Sequence, residues 1–205
     1  FDLDNTMYPA SSGLFALIDE RINLYLQEHA GIDPERADFT RRDYFHRYGL
    51  TLLGLMKEHG TDPAHYLEYV HRVPVEEVLA PRRELRRILL SIEAPKSIFT
   101  NGSQEHSRTV LRALGLEDLF GEIFDIADGD FIPKPDPRAY RAVLDRLGAD
   151  ASRSVLVEDL PQNLVPARDL GMTTILVGGE AGTPGADYVL AGLEGLADIL
   201  EELEN

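Results

Sequence analysis

The chain has 205 residues, 43% of them hydrophobic, which suffices for one ordinary domain with an insertion or for two small domains with real cores. Its 36 acids against 20 Lys and Arg leave a net charge of -16, a field that repels nucleic acid polymers and anionic membrane surfaces. There is no Cys, so disulfides and thiol chemistry are excluded; no apolar run approaches the ~18 residues of a membrane span, and no basic stretch leads into an apolar signal segment. We therefore expect a cytoplasmic protein, monomer or homodimer, that works on a small molecule rather than on a nucleic acid polymer or a membrane.

The chain opens on Phe1-Asp2-Leu3-Asp4-Asn5-Thr6, the end of an apolar strand running into a polar turn. A strand normally needs about 5 residues, so further residues of this strand are expected upstream of Phe1. Four helical units follow between residues 12 and 80. Leu14, Leu17, Ile18, Ile22, Tyr25 and Leu26 mark the first, and Phe39, Tyr44, Phe45 and Tyr48 the second. Leu52, Leu53 and Met56 mark the third; Leu67, Val70 and Val73 mark the fourth, between Pro63 and Pro74. No strand alternation interrupts this stretch.

Near residue 80 the rhythm changes to alternating helices and short strands. A helical face at Leu85, Ile88 and Leu89 leads to the strand Ser97-Ile98-Phe99 and the turn Thr100-Asn101-Gly102. The next helix starts at Ser103 or Gln104 and stops at Gly115; a weaker strand spans 123–126 and a helix 137–147. A buried strand at 155–157 ends in Glu158-Asp159, and a helix follows over 164–170. Strands at 173–177 and 188–190 and a helix over 193–203 complete the pattern. Such alternation predicts an α/β fold, a doubly wound parallel sheet covered on both faces, whose ligands bind at the carboxyl ends of the strands. The expected domains are an α/β core of residues 1–12 and 82–205 and a helical insertion of residues 13–81.

Asp2, Thr100 and Asp159 all fall at expected strand ends. Taken singly, each has an ordinary reading: a turn capped by carboxylates, a strand-to-helix turn, a solvated acid pair. Taken together, they are a carboxylate able to attack phosphorus, a neighbouring acid able to move a proton, and hydroxyl and N–H donors for an oxyanion. Lys134 stands in Pro133-Lys134-Pro135-Asp136-Pro137, whose prolines leave a stiff extended approach. Asn163 either caps the helix that follows the acid pair or steadies its loop. The His residues show no zinc spacing, and His29, His46, His59, His65 and His71 read as surface residues.

In this order, Asp2-Leu3-Asp4, Thr100-Asn101-Gly102, Lys134-Pro135-Asp136 and Glu158-Asp159 resemble the haloacid dehalogenase-like hydrolases, mostly Mg-dependent phosphatases with a Rossmann-like core. The resemblance implies that Asp2 is a nucleophile forming an aspartyl-phosphate and Asp4 the general acid and base. It further implies that Thr100, Asn101, Gly102 and Lys134 hold the phosphoryl group. Asp2, the Asp4 carbonyl and Asp159 would hold Mg²⁺, with Glu158, in place of a more usual Asp, beside it. Asp4 argues for phosphate-ester hydrolysis, because the dehalogenases of the superfamily lack an acid there. The insertion then resembles the family's helical cap. The run Asp4-Asn5-Thr6-Met7-Tyr8-Pro9, with the aromatic segment from Arg42 to Thr51, looks closest to the pyrimidine 5′-nucleotidase branch. That implies UMP or CMP as substrate, with Tyr44 and Tyr48, four residues apart and on one helix face, as specificity residues and Phe45 packed inside. Phosphoglycolate, a sugar phosphate or phosphomutase chemistry are the alternatives, and a non-catalytic phosphate-binding or receiver-like regulatory protein is the alternative of another class.

Overall fold

A computed structural model describes residues 1–204. They divide into two compact units, one of Phe1–Pro9 with the chain from Leu79 onward, the other of Ala10–Val78.

The second unit is helical throughout: α1 (Leu14–Ala30), α2 (Pro34–Tyr48), α3 (Thr51–His59), α4 (Pro63–Val70) and the single turn α5 (Val75–Val78). Local chemistry sets the boundaries. Asp33 and Asp62 accept from the N–H groups of Glu35 and Ala64, each just ahead of a proline in the first helical turn. At the far ends of α1 and α2, Gly31 and Gly49 adopt φ of 67° and 85°, which a side chain would resist. Leu14, Ile18, Tyr25 and Leu26 bury one stripe of α1, against which α2 and α4 pack. The second helix presents a different stripe from the aromatic one expected: Ala37, Thr40 and Tyr44 are buried, whereas Phe39 and Phe45 are 67% and 37% exposed. The reason is a close helix crossing. A Cβ at Gly54 of α3 would come within 2.5 Å of the Tyr44 ring, so the bare glycine admits that ring and fixes which face of α2 turns inward.

In the first unit the remaining elements alternate: α6 (Arg83–Ser91), β1 (Ser97–Phe99), α7 (Gln104–Leu114), β2 (Glu122–Phe124), α8 (Pro137–Leu147), β3 (Val155–Glu158), α9 (Pro161–Asp169), β4 (Thr173–Val177), β5 (Tyr188–Leu190) and α10 (Leu196–Glu204). All strand pairs are parallel, β1 with β2 and β3 with β4 and β5. The chain start joins the two groups. Phe1 N donates to Ser97 O and Phe99 N to Phe1 O on one side, and Asp2 N donates to Val157 O on the other. The result is one parallel array in the order β2, β1, the segment at Phe1–Leu3, β3, β4, β5. Thr174, Ile175 and Leu176 of β4 are each wholly buried, so both faces are covered, as an all-parallel sheet requires. One layer is formed by Ala139 and Tyr140 of α8 and Leu164 and Ala167 of α9, packed with Leu156 and Leu176.

The architecture is thus α/β with a parallel sheet and an inserted helical region, as expected from the rhythm of the sequence. Some element ends differ. The weak strand closes at Phe124 rather than residue 126, and α9 begins at Pro161, which occupies its first turn. Leu160 is the cap of α9, so Asn163 lies inside the helix and does not cap it. Among the described residues no helix is long and apolar enough to cross a membrane.

Candidate active site

Parallel strands carry their ends to one edge, and three adjacent segments end there in polar residues: Asp2 after Phe1, Thr100 after β1, and Glu158-Asp159 at the end of β3. Lys134 reaches them from the loop between β2 and α8. Its Nζ donates to Asp2 Oδ1 at 2.7 Å, Glu158 Oε1 at 2.9 Å and the Phe99 carbonyl at 2.7 Å. All three ammonium hydrogens are used, and the side chain is 1% exposed. Asn101 fixes the loop that brings it there, since its amide donates to Lys134 O and its oxygen accepts from Lys134 N.

Glu158 is fully buried, and both its oxygens are engaged. Oε1 also accepts from Asn163 Nδ2, and Oε2 accepts from Leu160 N at 2.7 Å. Asn163 is itself held by Tyr140, whose hydroxyl donates to the Asn163 carbonyl at 2.6 Å. The loop-steadying alternative for Asn163 is therefore the one the structure adopts. Asp159 accepts from the buried Thr6 hydroxyl at 3.2 Å. Oxygens of Asp2, Glu158 and Asp159 lie within 4.8 Å of one another, a group able to hold a metal ion.

Charge in this cluster is unequal. Burial, the largest influence on Lys134, acts to release its proton, but Asp2 and Glu158 outweigh it and hold the ammonium above its usual range. Burial also acts to protonate Glu158, yet Lys134, the Leu160 N–H and Asn163 hold that carboxyl below its usual range. The other two acids go the opposite way. Burial raises Asp2 to about 7, with Glu158 and Asp4 adding repulsion against the pull of Lys134. Burial, Asp2 and Glu158 raise Asp159 to about 8. One lysine balances one of the three carboxylates. The remaining oxygens fit a hard divalent cation such as Mg²⁺, which prefers oxygen donors and takes few carboxylates.

Asp4 stands beside this cluster with partners of its own. Its Oδ1 accepts from the Tyr8 hydroxyl at 2.5 Å and lies 2.8 Å from His106 Nε2. The turn Thr100–Gly102 runs close by, with Gly102 N donating to the buried Thr100 hydroxyl at 2.9 Å. A Cβ at Gly102 would lie 3.3 Å from that hydroxyl and 3.7 Å from Asp4 Oδ2, so the backbone passes near both. Ser103 then caps α7 by accepting from His106 N, and places His106 on the first helical turn.

A family model, described as a haloacid dehalogenase-like hydrolase, matches residues 1–171. The chain belongs to that family. Among solved structures, this haloacid dehalogenase-like hydrolase is similar to a HAD phosphatase from Thermococcus onnurineus, at 22% identity and TM-score 0.67, covering 98% of this chain and 95% of that one. A HAD-hydrolase from Bacillus subtilis bound to magnesium is comparable, at 18% identity and TM-score 0.66, covering 98% of this chain and 96% of that one. The yeast protein Phosphate metabolism protein 8 is 26% identical over 86% of this chain, and the matched stretch spans 60% of its own length. A phosphoglycolate phosphatase from Rhodospirillum rubrum is 34% identical over 39% of this chain and 33% of its own length.

The fold thus gathers Asp2, Asp4, Thr100, Asn101, Gly102, Lys134, Glu158 and Asp159 at one sheet edge. Tyr44 and Tyr48 belong to the helical unit. Their rings meet edge to face at 5.8 Å, so they do share a side of α2. Tyr44 is buried and bonded to His59 Nε2 at 2.8 Å, while Tyr48 is half-buried, its hydroxyl donating to Glu58. Phe45, expected inside, is exposed. Of the five His assigned to the surface, His29, His46, His59 and His65 are exposed and His71 half-buried. The sixth, His106, is 2% exposed and touches Asp4, a contact for which the sequence offered no spacing signal.

Proposed function

We propose that this hydrolase cleaves phosphate monoesters through an aspartyl-phosphate on Asp2, with Asp4 as general acid and then general base. The observation that carries the reading is the pairing of unlike carboxylates at one edge. Asp2 is aimed by a lysine that is itself held by Glu158 and a backbone carbonyl, and Asp4 is held separately by Tyr8 and His106. Asp2 Oδ1 is fixed by Lys134, so the carboxylate is oriented before substrate arrives. The Thr100 hydroxyl and the Asn101 N–H are the donors for the phosphoryl oxygens, while Lys134, whose three hydrogens go to Asp2, Glu158 and the Phe99 carbonyl, supplies positive charge beside them. Asp4 gives its proton to the leaving alkoxide and takes one from the water that then opens the acyl phosphate.

Mg²⁺ fits the donor set, with Asp2 and Asp159 as its side-chain ligands and the Asp4 carbonyl as a third. When bound, the ion neutralises charge on the transferring phosphoryl group. Glu158 serves by holding Lys134 rather than the ion, since both its oxygens already accept from Lys134, Asn163 and Leu160.

Metal removal should show in stability as well as turnover. Folded-state values near 7 for Asp2 and near 8 for Asp159 exceed the ordinary 3.8, so the fold favours their protonated forms. That contribution is complete below about pH 4 and is lost as pH rises through about 7 to 8. The ion must displace those protons, so it should raise the unfolding temperature more at about pH 8 than at about pH 5. At about 100 times its dissociation constant it adds about 2.7 kcal/mol, a rise of roughly 5–10 °C in a chain of this size. Thermal melts with EDTA or Mg²⁺ at both pH values measure it. A shift equal at the two pH values, or turnover that survives exhaustive chelation, rules the metal site out.

The substrate we favour is a pyrimidine nucleoside 5′-monophosphate. Support comes from the opening run through Tyr8 and Pro9 and from the aromatic residues of α2, of which half-buried Tyr48 is the better candidate to stack on a base. Buried Tyr44 supports Tyr48 by ring contact. The relatives named as phosphoglycolate phosphatases favour a second reading, in which a small metabolite phosphate is the substrate. Steady-state kinetics on UMP, CMP, AMP, phosphoglycolate and hexose phosphates separate the two. Tyr48→Ala should raise KM for UMP by the equivalent of roughly 1–3 kcal/mol while sparing p-nitrophenyl phosphate. A kcat/KM for phosphoglycolate about tenfold above that for UMP would establish the second reading instead.

A further inference from the structure

Asp4 is held in an unusual way for a group that has to move a proton. Two donors from different parts of the chain converge on the same oxygen, Oδ1. The Tyr8 hydroxyl comes from four residues downstream, at 2.5 Å, and His106 Nε2 from the first turn of α7, at 2.8 Å. Both donor residues are buried, at 1% and 2% exposure. The torsion that turns a carboxyl group about its last bond is soft and roughly two-fold, so one hydrogen bond leaves the plane of the group free to rock. Two donors on one oxygen from separate directions remove that freedom. Oδ2 is then turned towards Gly102, in the turn that supplies the phosphoryl donors. An ionised carboxylate only accepts, so beside the charged form His106 carries its hydrogen on Nε2.

We propose that Tyr8 and His106 are positioning residues for Asp4: together they clamp Oδ1 so that the carboxyl is already oriented when the leaving group departs. This rests on Asp4 as the general acid. The sequence places all three residues for the purpose. Asn5 turns the chain back through a positive φ of 62°, which lets Tyr8 face Asp4. Ser103 starts α7 at the register that aims His106 at the same carboxyl. Loosening the clamp lowers the fraction of encounters in which the acid is in line with the leaving oxygen, so it acts on kcat and not on phosphate binding.

The test uses the full-length protein, Mg²⁺ and two esters, an alkyl phosphate and p-nitrophenyl phosphate, whose leaving group needs little protonation. Asp4→Asn is the reference and should lose far more on the alkyl ester. Tyr8→Phe, which keeps the ring and removes only the hydroxyl, should lower kcat on the alkyl ester about tenfold and on p-nitrophenyl phosphate less than about threefold, with KM for both held. His106→Ala should repeat that pattern, and His106→Gln, which restores an N–H donor, should recover most of the loss. A merely structural contact would depress both esters alike and would not respond to Gln. Equal losses on the two esters in Tyr8→Phe, or no loss, overturn the clamp whenever Asp4→Asn still discriminates between them. If Asp4→Asn itself fails to discriminate, the acid role assigned to Asp4 falls, and the clamp with it.

Discussion

Asp2→Asn should lower kcat by roughly 10⁴-fold or more and leave no phosphoenzyme to trap, because it deletes the group we propose forms the covalent bond to phosphorus. The substitution changes little else. The amide nearly matches the carboxylate in shape, and Lys134 keeps Glu158 and the Phe99 carbonyl as partners. Stability should move in the opposite sense to activity. Burial holds Asp2 near 7, so at about pH 8 the wild-type fold carries a desolvated charge that the amide lacks. The metal-free variant should then be at least as stable as the metal-free wild type at that pH. Acid-quench labelling, steady-state rates and thermal melts measure the three effects. A phosphoryl group recovered on any residue other than position 2 overturns the assignment of the nucleophile.

Lys134→Met should cost about 3–5 kcal/mol, the range seen when one partner of a buried ion pair is removed. The lysine is the cation that faces Asp2 and Glu158, and all its donors are used. The loss should depend on pH. With Lys134 present, Glu158 is held below its ordinary 4.5, which contributes stability that is present above that value and lost as pH falls through the folded-state value. Lys134 itself is held above its ordinary 10.5 and so contributes equally throughout the acid and neutral range. The gap between wild type and variant should therefore be full near pH 7 and narrow below about pH 4.5. Urea titrations at several pH values test this. A gap under about 1 kcal/mol, or one that does not change between about pH 4 and pH 7, would show that the pair does not organise the site.

The sequence could be read so far because the groups of the candidate site sit where local structure is easiest to recognise. A three-residue apolar run that ends in Thr100-Asn101-Gly102, or in Glu158-Asp159, marks a strand end, and parallel strands have their ends on one edge. Lys134 was legible because prolines on both sides are rare around a surface lysine. The stripe of α2 was misread because periodicity names candidate faces without choosing between them. Phe39 and Phe45 are as apolar as Tyr44, but only Tyr44 meets a glycine on the neighbouring helix. Asn163 was left open for a similar reason, since its two uses differ by where α9 begins, and Pro161 moved that start three residues earlier than the apolar pattern suggested.

Order along the chain and residue type thus decided the architecture, the family and the set of residues at the sheet edge, because strand ends and turns depend on a few neighbouring residues. Which oxygen meets which donor was decided only by the fold. Glu158 turned out to be the partner of Lys134, Asn163 the brace behind it, and His106 a second donor to Asp4 across 102 positions of chain. Those contacts come from burial: once desolvated, each polar group must find a partner within about 3 Å, and packing rather than spacing determines which one is there.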